Sequence, residues 1–340
     1  MFATLARMAP VLRLTRVSTA FAAVADVWFV ILWTRANPEE RGIPGLLEPA
    51  VRAPDGPSLW LLLLAGAGAA MGLYAFGAAI NDVTDTSRDR VLRRDRPIAE
   101  GQISPVTAAT VGSLSLIIAV LGAAMFGRAA VVLTCVLALA VLGFNALGRF
   151  VPAVGLVLLS LIYAGHMVVP NLSLRFVWPV WVVMTHALAV SGVVHVVGRK
   201  APPITLRALV AALLGWVFWS GVLIWVGLRR ADPSAEGLLA KLWPDWVGVG
   251  GAILVLACAV VFVFVAGRRI RTLGYGQRTA EKINRYGALW LPLYACGWLF
   301  GEGHLRAGLI MGALALSGLV GMSVLREVYA AVEHPIGYRR

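Results

Sequence analysis

Ten apolar stretches, at about 17–34, 58–80, 105–127, 129–147, 151–170, 176–197, 206–228, 246–267, 285–302 and 307–325, take up most of this 340-residue sequence. A hydrocarbon layer about 30 Å thick is crossed by about 20 consecutive apolar helical residues. Inside it no water satisfies the backbone N–H and C=O groups, so a spanning segment of this kind must be a helix. Only 14% of the residues are charged, against roughly 25% in a soluble domain. That deficit excludes a soluble enzyme, a disordered chain and a fibrous repeat. The expectation is an all-α fold, a polytopic transmembrane helical bundle. The last two stretches are separated only by Glu302-Gly303-His304-Leu305-Arg306, which makes that break the least marked. Turn-forming residues punctuate the connections, as at Pro54-Asp55-Gly56-Pro57 and Pro202-Pro203.

The net charge of +13 marks a membrane face rather than a nucleic-acid partner, because basic residues concentrate in cytoplasmic loops. With the N-terminus on the cytoplasmic side, 21 of the 30 Lys and Arg residues fall on that side and 9 on the other. The expected location is therefore the inner (cytoplasmic) membrane, multi-pass, with both termini inside. Arg7, Arg13 and Arg16 precede the first stretch, and no A-x-A cleavage site follows, so it reads as a retained span. Cys135, Cys258 and Cys296 all lie in apolar stretches and read as small hydrophobes. Neither a soluble domain nor a short-period repeat is visible, so residues 1–340 read as one integral membrane domain.

One segment differs from everything around it: Asn81-Asp82-Val83-Thr84-Asp85-Thr86-Ser87-Arg88-Asp89-Arg90, continuing through Arg93-Arg94-Asp95-Arg96-Pro97 to Gly101. If the second helix runs on through it, Asn81, Asp85 and Asp89 share one face at i, i+4 and i+8, with Asp82 beside Asp85. Clustered carboxylates repel and call for a cation. Hard oxygen ligands in small number suit Mg²⁺ bridged to substrate phosphates, and Arg93, Arg94 and Arg96 supply paired N–H donors for the remaining phosphate charge.

The pattern Asn81-Asp82-x-x-Asp85-x-x-x-Asp89, followed by Arg96-Pro97-Ile98-x-x-Gly101-x-Ile103-Ser104, resembles the first aspartate-rich motif of the UbiA superfamily of intramembrane prenyltransferases. Arg96 follows Asp89 by seven positions, as in the chlorophyll-synthase and archaeal ether-lipid branches and more tightly than in the 4-hydroxybenzoate branch. The resemblance implies nine helices around a central cavity, so nine to ten transmembrane helices here, with an additional C-terminal span at about 307–325. It implies Mg²⁺ and a polyprenyl diphosphate, such as geranylgeranyl diphosphate, at the cytoplasmic end, and prenyl transfer to a lipophilic acceptor. Asp82, Asp85 and Asp89 would then carry catalysis, with the metal on Asn81, Asp85 and Asp89.

A second aspartate motif is expected after the sixth span. That place reads His195-Val196-Val197-Gly198-Arg199-Lys200-Ala201-Pro202, and no acidic residue occurs between Glu100 and Asp232. Either Arg199 and Lys200 neutralise diphosphate as fixed cations, or the chain binds or moves a prenyl lipid without cleaving a bond. A secondary transporter is a third class, but the inverted pair of broken helices it calls for is not visible.

Several further residues are candidates for substrate binding. Asp26, ten positions after Arg16, is a carboxyl in mid-span, which faces a bundle interior by necessity. Arg16 sits at the cytoplasmic end of the same segment. Asn145 and Arg149 are an i, i+4 pair at the end of the fourth span, where the resemblance implies contact with the diphosphate. Tyr163, with Ser160, reads as acceptor-pocket lining. His166, His186 and His195 read as satisfied polar groups. Residues 268–285 carry six basic side chains suited to anionic lipid headgroups. Trp28, Trp33, Trp60, Trp178, Trp243 and Trp246 read as an interfacial belt.

Overall fold

The computed structural model describes residues 2–41, 57–92 and 96–333. The loop with Pro54-Asp55-Gly56, and the candidate Arg94 with its neighbours Arg93 and Asp95, lie outside the described residues. Within them the chain forms thirteen α-helices: α1 (Phe2–Leu14), α2 (Val17–Ala36), α3 (Leu59–Thr84), α4 (Thr86–Leu92), α5 (Pro105–Ala124), α6 (Arg128–Ala146), α7 (Pro152–Met167), α8 (Trp178–Val197), α9 (Leu206–Arg230), α10 (Gly237–Leu242), α11 (Val249–Leu273), α12 (Gln277–Gly301) and α13 (Leu305–Glu333).

Each of the ten apolar stretches is one helix, including the closely spaced last pair, which Glu302–His304 separates. Eight helices (α2, α3, α5, α6, α8, α9, α11 and α13) are long and apolar enough to cross a membrane. α7 is apolar but has only 16 residues, and the first half of α12 carries Arg278, Glu281, Lys282 and Arg285. Among the described residues, eight helices thus meet both measures, and α7 and α12 are the two apolar stretches that do not.

α2 is the hub. Packed against α3, α7, α12 and α13, it is buried over most of its length. The outer helices α9 and α11 bury few residues and turn Leu, Val, Phe and Ile outward, as lipid-facing helices do. Because lipid tails are as apolar as leucine, helices associate in membranes through close packing of small residues. α3 and α5 show this: a Cβ added at Gly72 would lie 2.5 Å from Ser115 O, and one at Gly122 would lie 2.5 Å from Ala65 O. Only hydrogen fits at either crossing.

At the end of the bundle away from Asn81, Trp33 departs from the interfacial expectation. It is fully buried, stacked between Phe29 (5.5 Å) and Phe176 (5.6 Å) with Trp298 edge-on at 6.5 Å. The reason is the 3₁₀ turn Pro38–Arg41, which folds Glu40 back over the ring so that Trp33 Nε1 donates to Glu40 Oε1 at 3.1 Å. Glu40 also accepts from the backbone N–H groups of Arg175 (2.8 Å) and Phe176 (3.0 Å). Burial pushes its carboxyl up, while these hydrogen bonds and the Arg175 charge pull it back down. Trp60, at the start of α3, is exposed as expected.

Candidate diphosphate-binding site

The helix carrying the aspartate-rich segment breaks once. α3 ends at Thr84, Asp85 is its C-terminal cap, and α4 begins at Thr86. Thr84 Oγ1 donates to Ile80 O (3.0 Å) and Thr86 Oγ1 to Asp82 O (3.0 Å), back-bonding that bends helices. The register survives the bend, because Asp85 N donates to Asn81 O (3.0 Å) and Asp89 N to Asp85 O (2.8 Å). The i, i+4, i+8 backbone relation expected of Asn81, Asp85 and Asp89 is therefore present, with a change of direction at Asp85.

Asp82 and Asp89 are buried, and Asp85 and Asn81 are half-buried. Arg16 Nη2 donates to Asp82 Oδ1 at 3.2 Å. Arg96 Nη1 pairs with the same oxygen and lies 3.6 Å from Asp89 Oδ2. The hydrogen-bond network orients the Asn81 amide: its oxygen then accepts from Arg16 Nη2 and Arg96 Nη1, each at 3.2 Å, and its nitrogen donates to Asn145 Oδ1 at 3.1 Å. Asn145 is buried and donates from Nδ2 to Val141 O at 2.9 Å. Two guanidinium groups from distant parts of the chain thus share one Asn-Asp dipeptide, itself braced by α6.

Local backbone choices make this possible. Arg16 stands between α1 and α2 in the left-handed region (φ 49°, ψ 39°), a conformation that costs a non-glycine residue roughly 1 kcal/mol. Arg96 opens a tight turn in which Pro97 O accepts from Gln102 N (2.9 Å) and Ile103 N (3.2 Å). Ile98 and Ile103 bury this turn against Leu14, Ala79 and Ala108.

The other candidates stand on other elements. Arg149 belongs to the 3₁₀ turn Gly148–Phe150 after α6. Arg199 and Lys200 are exposed in the turn that ends α8. There Lys200 N donates to His195 O and Arg199 N to Val196 O, both at 3.1 Å. This is a Schellman closure with Arg199, at φ 49°, where glycine is usual. Asp26 is buried in mid-span; its Oδ2 has no hydrogen-bond partner and it lines a small cavity with Phe29, Met167, Tyr294 and Trp298. Ser160 is satisfied by Val157 O (2.7 Å). His186 is satisfied by Gly287 O (3.0 Å) and Tyr294 Oη (3.1 Å), and His195 by Pro202 O (2.8 Å), whereas His166, against expectation, is buried with its Nε2 unpartnered. Cys135, Cys258 and Cys296 are all free thiols.

Sequence reasoning missed Tyr74, whose hydroxyl lies 2.7 Å from Thr19 Oγ1. Tyr163 is within electrostatic reach of Tyr74, Asp26 and Arg16. Tyr74 stands seven residues, two helical turns, before Asn81, so it was visible as a polar residue on the motif's own face.

Among the described residues no three His, Cys, Asp or Glu side chains form a metal cage. Mg²⁺ does not need one, since it retains waters and takes one or two carboxylates together with substrate phosphates. Asn81, Asp85 and Asp89 fit that role in donor chemistry. Asp82 already pairs with Arg16 and Arg96.

No curated protein matches the sequence. Solved structures do match in fold. Digeranylgeranylglyceryl phosphate synthase has a TM-score of 0.52 at 16% identity, covering 87% of this chain and 98% of its own. A UbiA homologue from Archaeoglobus fulgidus bound to GPP and Mg²⁺ has a TM-score of 0.51 at 15% identity, covering 85% and 99%. The apo UbiA homologue from Aeropyrum pernix K1 has a TM-score of 0.52 at 16% identity, covering 82% and 96%. The model of the UbiA prenyltransferase family matches residues 43–273, which is most of the sequence and includes the whole aspartate-rich segment. The chain belongs to the UbiA prenyltransferase family.

Proposed function

We propose that this protein is a Mg²⁺-dependent prenyltransferase of the inner (cytoplasmic) membrane. It moves a polyprenyl group from a diphosphate, such as geranylgeranyl diphosphate, to a lipophilic acceptor, with its site at the cytoplasmic face. All of residues 1–340 serve that one domain, α13 supplying the additional C-terminal span. The observation that carries this reading is the shared anchoring of Arg16 and Arg96 on Asn81 and Asp82 at one end of an apolar bundle. The A. fulgidus homologue of the same fold binds GPP and Mg²⁺.

Arg16 and Arg96 present N–H donors to the diphosphate oxygens, as guanidinium groups do for phosphate. Arg94, Arg149, Arg199 and Lys200 add positive charge for it, and Arg199 and Lys200 stand in for the missing second acidic motif. Asn145 holds the Asn81 amide in the orientation that faces the arginines. Mg²⁺ on Asn81, Asp85 and Asp89, when bound, supplies charge neutralisation for the leaving diphosphate. The allylic C–O bond breaks with its electron pair going to the diphosphate. The acceptor's nucleophilic atom bonds to the allylic carbon and gives up a proton. Tyr163 and Asp26 line the acceptor side of the interior.

The test is diphosphate release from geranylgeranyl diphosphate by the protein in nanodiscs with host lipid extract, with and without Mg²⁺. Mg²⁺-dependent release, lost by more than a hundredfold in Asp85→Asn without loss of fold, is the expected result. The absence of any acidic residue between Glu100 and Asp232 favours one alternative, a carrier of prenyl lipids. A folded sample that binds the diphosphate and releases none would favour that alternative, leaving another donor chain length or a missing acceptor as the only rescue for the enzyme.

A further inference from the structure

Arg96 makes more contacts to carboxylates than a simple phosphate ligand needs. Its Nη1 pairs with Asp82 Oδ1, lies 3.6 Å from Asp89 Oδ2 and donates to the Asn81 amide oxygen at 3.2 Å. Both carboxylates are buried, and the Arg96 side chain is only 18% exposed, so the pairing is shielded from water and salt. One guanidinium is therefore shared between two adjacent acids, and Arg16 supplies a second positive charge at Asp82. Asp89 is also one of the residues suited to a divalent ion, so guanidinium and ion compete for the same carboxylate and repel each other across it.

Resting on the reading of this cluster as a diphosphate site, we propose that Arg96 is the internal counter-cation of Asp82 and Asp89 in the substrate-free protein. Diphosphate draws it away, and Asp89 becomes available to the divalent ion only then. The exchange conserves good pairings. A diphosphate offers the planar guanidinium a bidentate partner of higher charge, and the ion replaces the guanidinium at the carboxylate. The backbone need not move, since the turn at Pro97 is held by its own hydrogen bonds and by buried Ile98 and Ile103. The long, flexible arginine side chain carries the change. Asp82, with Arg16 still on it at 3.2 Å, keeps a counter-ion throughout. Binding of the ion is thereby coupled to binding of the diphosphate, and coupling of this kind is reciprocal.

The experiment measures Mn²⁺ affinity by electron paramagnetic resonance of the full chain in nanodiscs, with and without geranylgeranyl thiodiphosphate, a hydrolysis-resistant donor analogue. An ion bridged to phosphate gains affinity whatever Arg96 does, so the deciding quantity is Mn²⁺ affinity without the analogue. Arg96→Gln should raise it about tenfold and correspondingly shrink the gain from the analogue. Arg88→Gln, which removes the same charge from an exposed position on α4, should raise it less than about threefold. Arg96→Lys, too short to bridge both acids, should give a rise of about threefold to fivefold and serves if the Gln variant does not fold. A rise in neither Arg96 variant beyond that of Arg88→Gln would overturn the proposal. Wild-type Mn²⁺ binding that is equally tight with and without the analogue would also overturn it, while leaving the diphosphate site in place. Analogue binding absent altogether would overturn the functional reading beneath it as well.

Discussion

Arg16 Nη2 lies 3.2 Å from Asp82 Oδ1, although 66 positions separate the two residues. The contact joins the left-handed break between α1 and α2 to the last turn of α3, and Arg96 meets the same oxygen from a third direction. A single buried carboxylate thus assembles two cations that would otherwise repel.

Replacing Asp82 by Asn removes the counter-ion that Arg16 and Arg96 share, while Arg96 keeps Asp89 at 3.6 Å. An unpaired buried or half-buried charge costs about 1–3 kcal/mol, the lower part of the range applying because the Arg16 side chain is 41% exposed. The Asp82→Asn variant should unfold at lower temperature in detergent than wild type. An unchanged midpoint would mean that the anchoring contributes nothing to stability.

Arg199 occupies the left-handed position of a helix end where glycine carries no Cβ penalty. Its side chain is exposed, so packing does not explain its retention there. Arg199→Gly should hold or raise the unfolding midpoint, worth up to about 1 kcal/mol, while weakening binding of inorganic diphosphate severalfold. Equal binding in calorimetric titrations of the two proteins would remove Arg199 from the site.

Gly72 and Gly143 make a matched pair. A Cβ at Gly72 meets Ser115 O at 2.5 Å and Ala119 N at 2.6 Å, both backbone atoms, whereas one at Gly143 meets nothing within 4 Å. Gly72→Ala forces α3 and α5 apart and should cost about 1–3 kcal/mol. Gly143→Ala should be neutral or stabilising, by up to about 1 kcal/mol. Thermal unfolding of the two variants side by side checks the close approach.

Burial raises the Glu40 carboxyl above its ordinary value of 4.5. The folded chain therefore binds this proton more tightly than the unfolded chain. Stability contributed through Glu40 is fully present below pH 4.5 and falls as the pH rises from there through the raised value. Unfolding midpoints of wild type should decline over that window relative to Glu40→Gln, which has no proton to lose. Parallel profiles would show that the Arg175 and Phe176 hydrogen bonds cancel the burial effect.

Much of the site was legible because helical register is local. Asn81, Asp85 and Asp89 repeat every four residues, and the hydrogen bonds that enforce this run from each residue to the one four before it. The bend at Asp85 was less legible, since Thr84 and Thr86 form either straight or bent helix depending on where their hydroxyls bond. Trp33 was misread as interfacial because hydropathy places an aromatic residue near a helix end without saying which way the chain turns next. The turn at Glu40 decided that its ring lies inside.

From its sequence alone, the chain was determined to be an all-helical membrane bundle with one polar, acidic segment at a helix end. Both properties follow from the run length of apolar residues and the spacing of polar ones along a single helix. Only the tertiary structure decided that Arg16, Arg96 and Asn145 converge on Asn81 and Asp82, that two arginines share the Asp82 carboxylate, and that Tyr74 stands beside Thr19. Those relations depend on which face of each helix meets which neighbour. Close approach of small residues such as Gly72 and Gly122 sets that choice, and no periodicity within one helix encodes it.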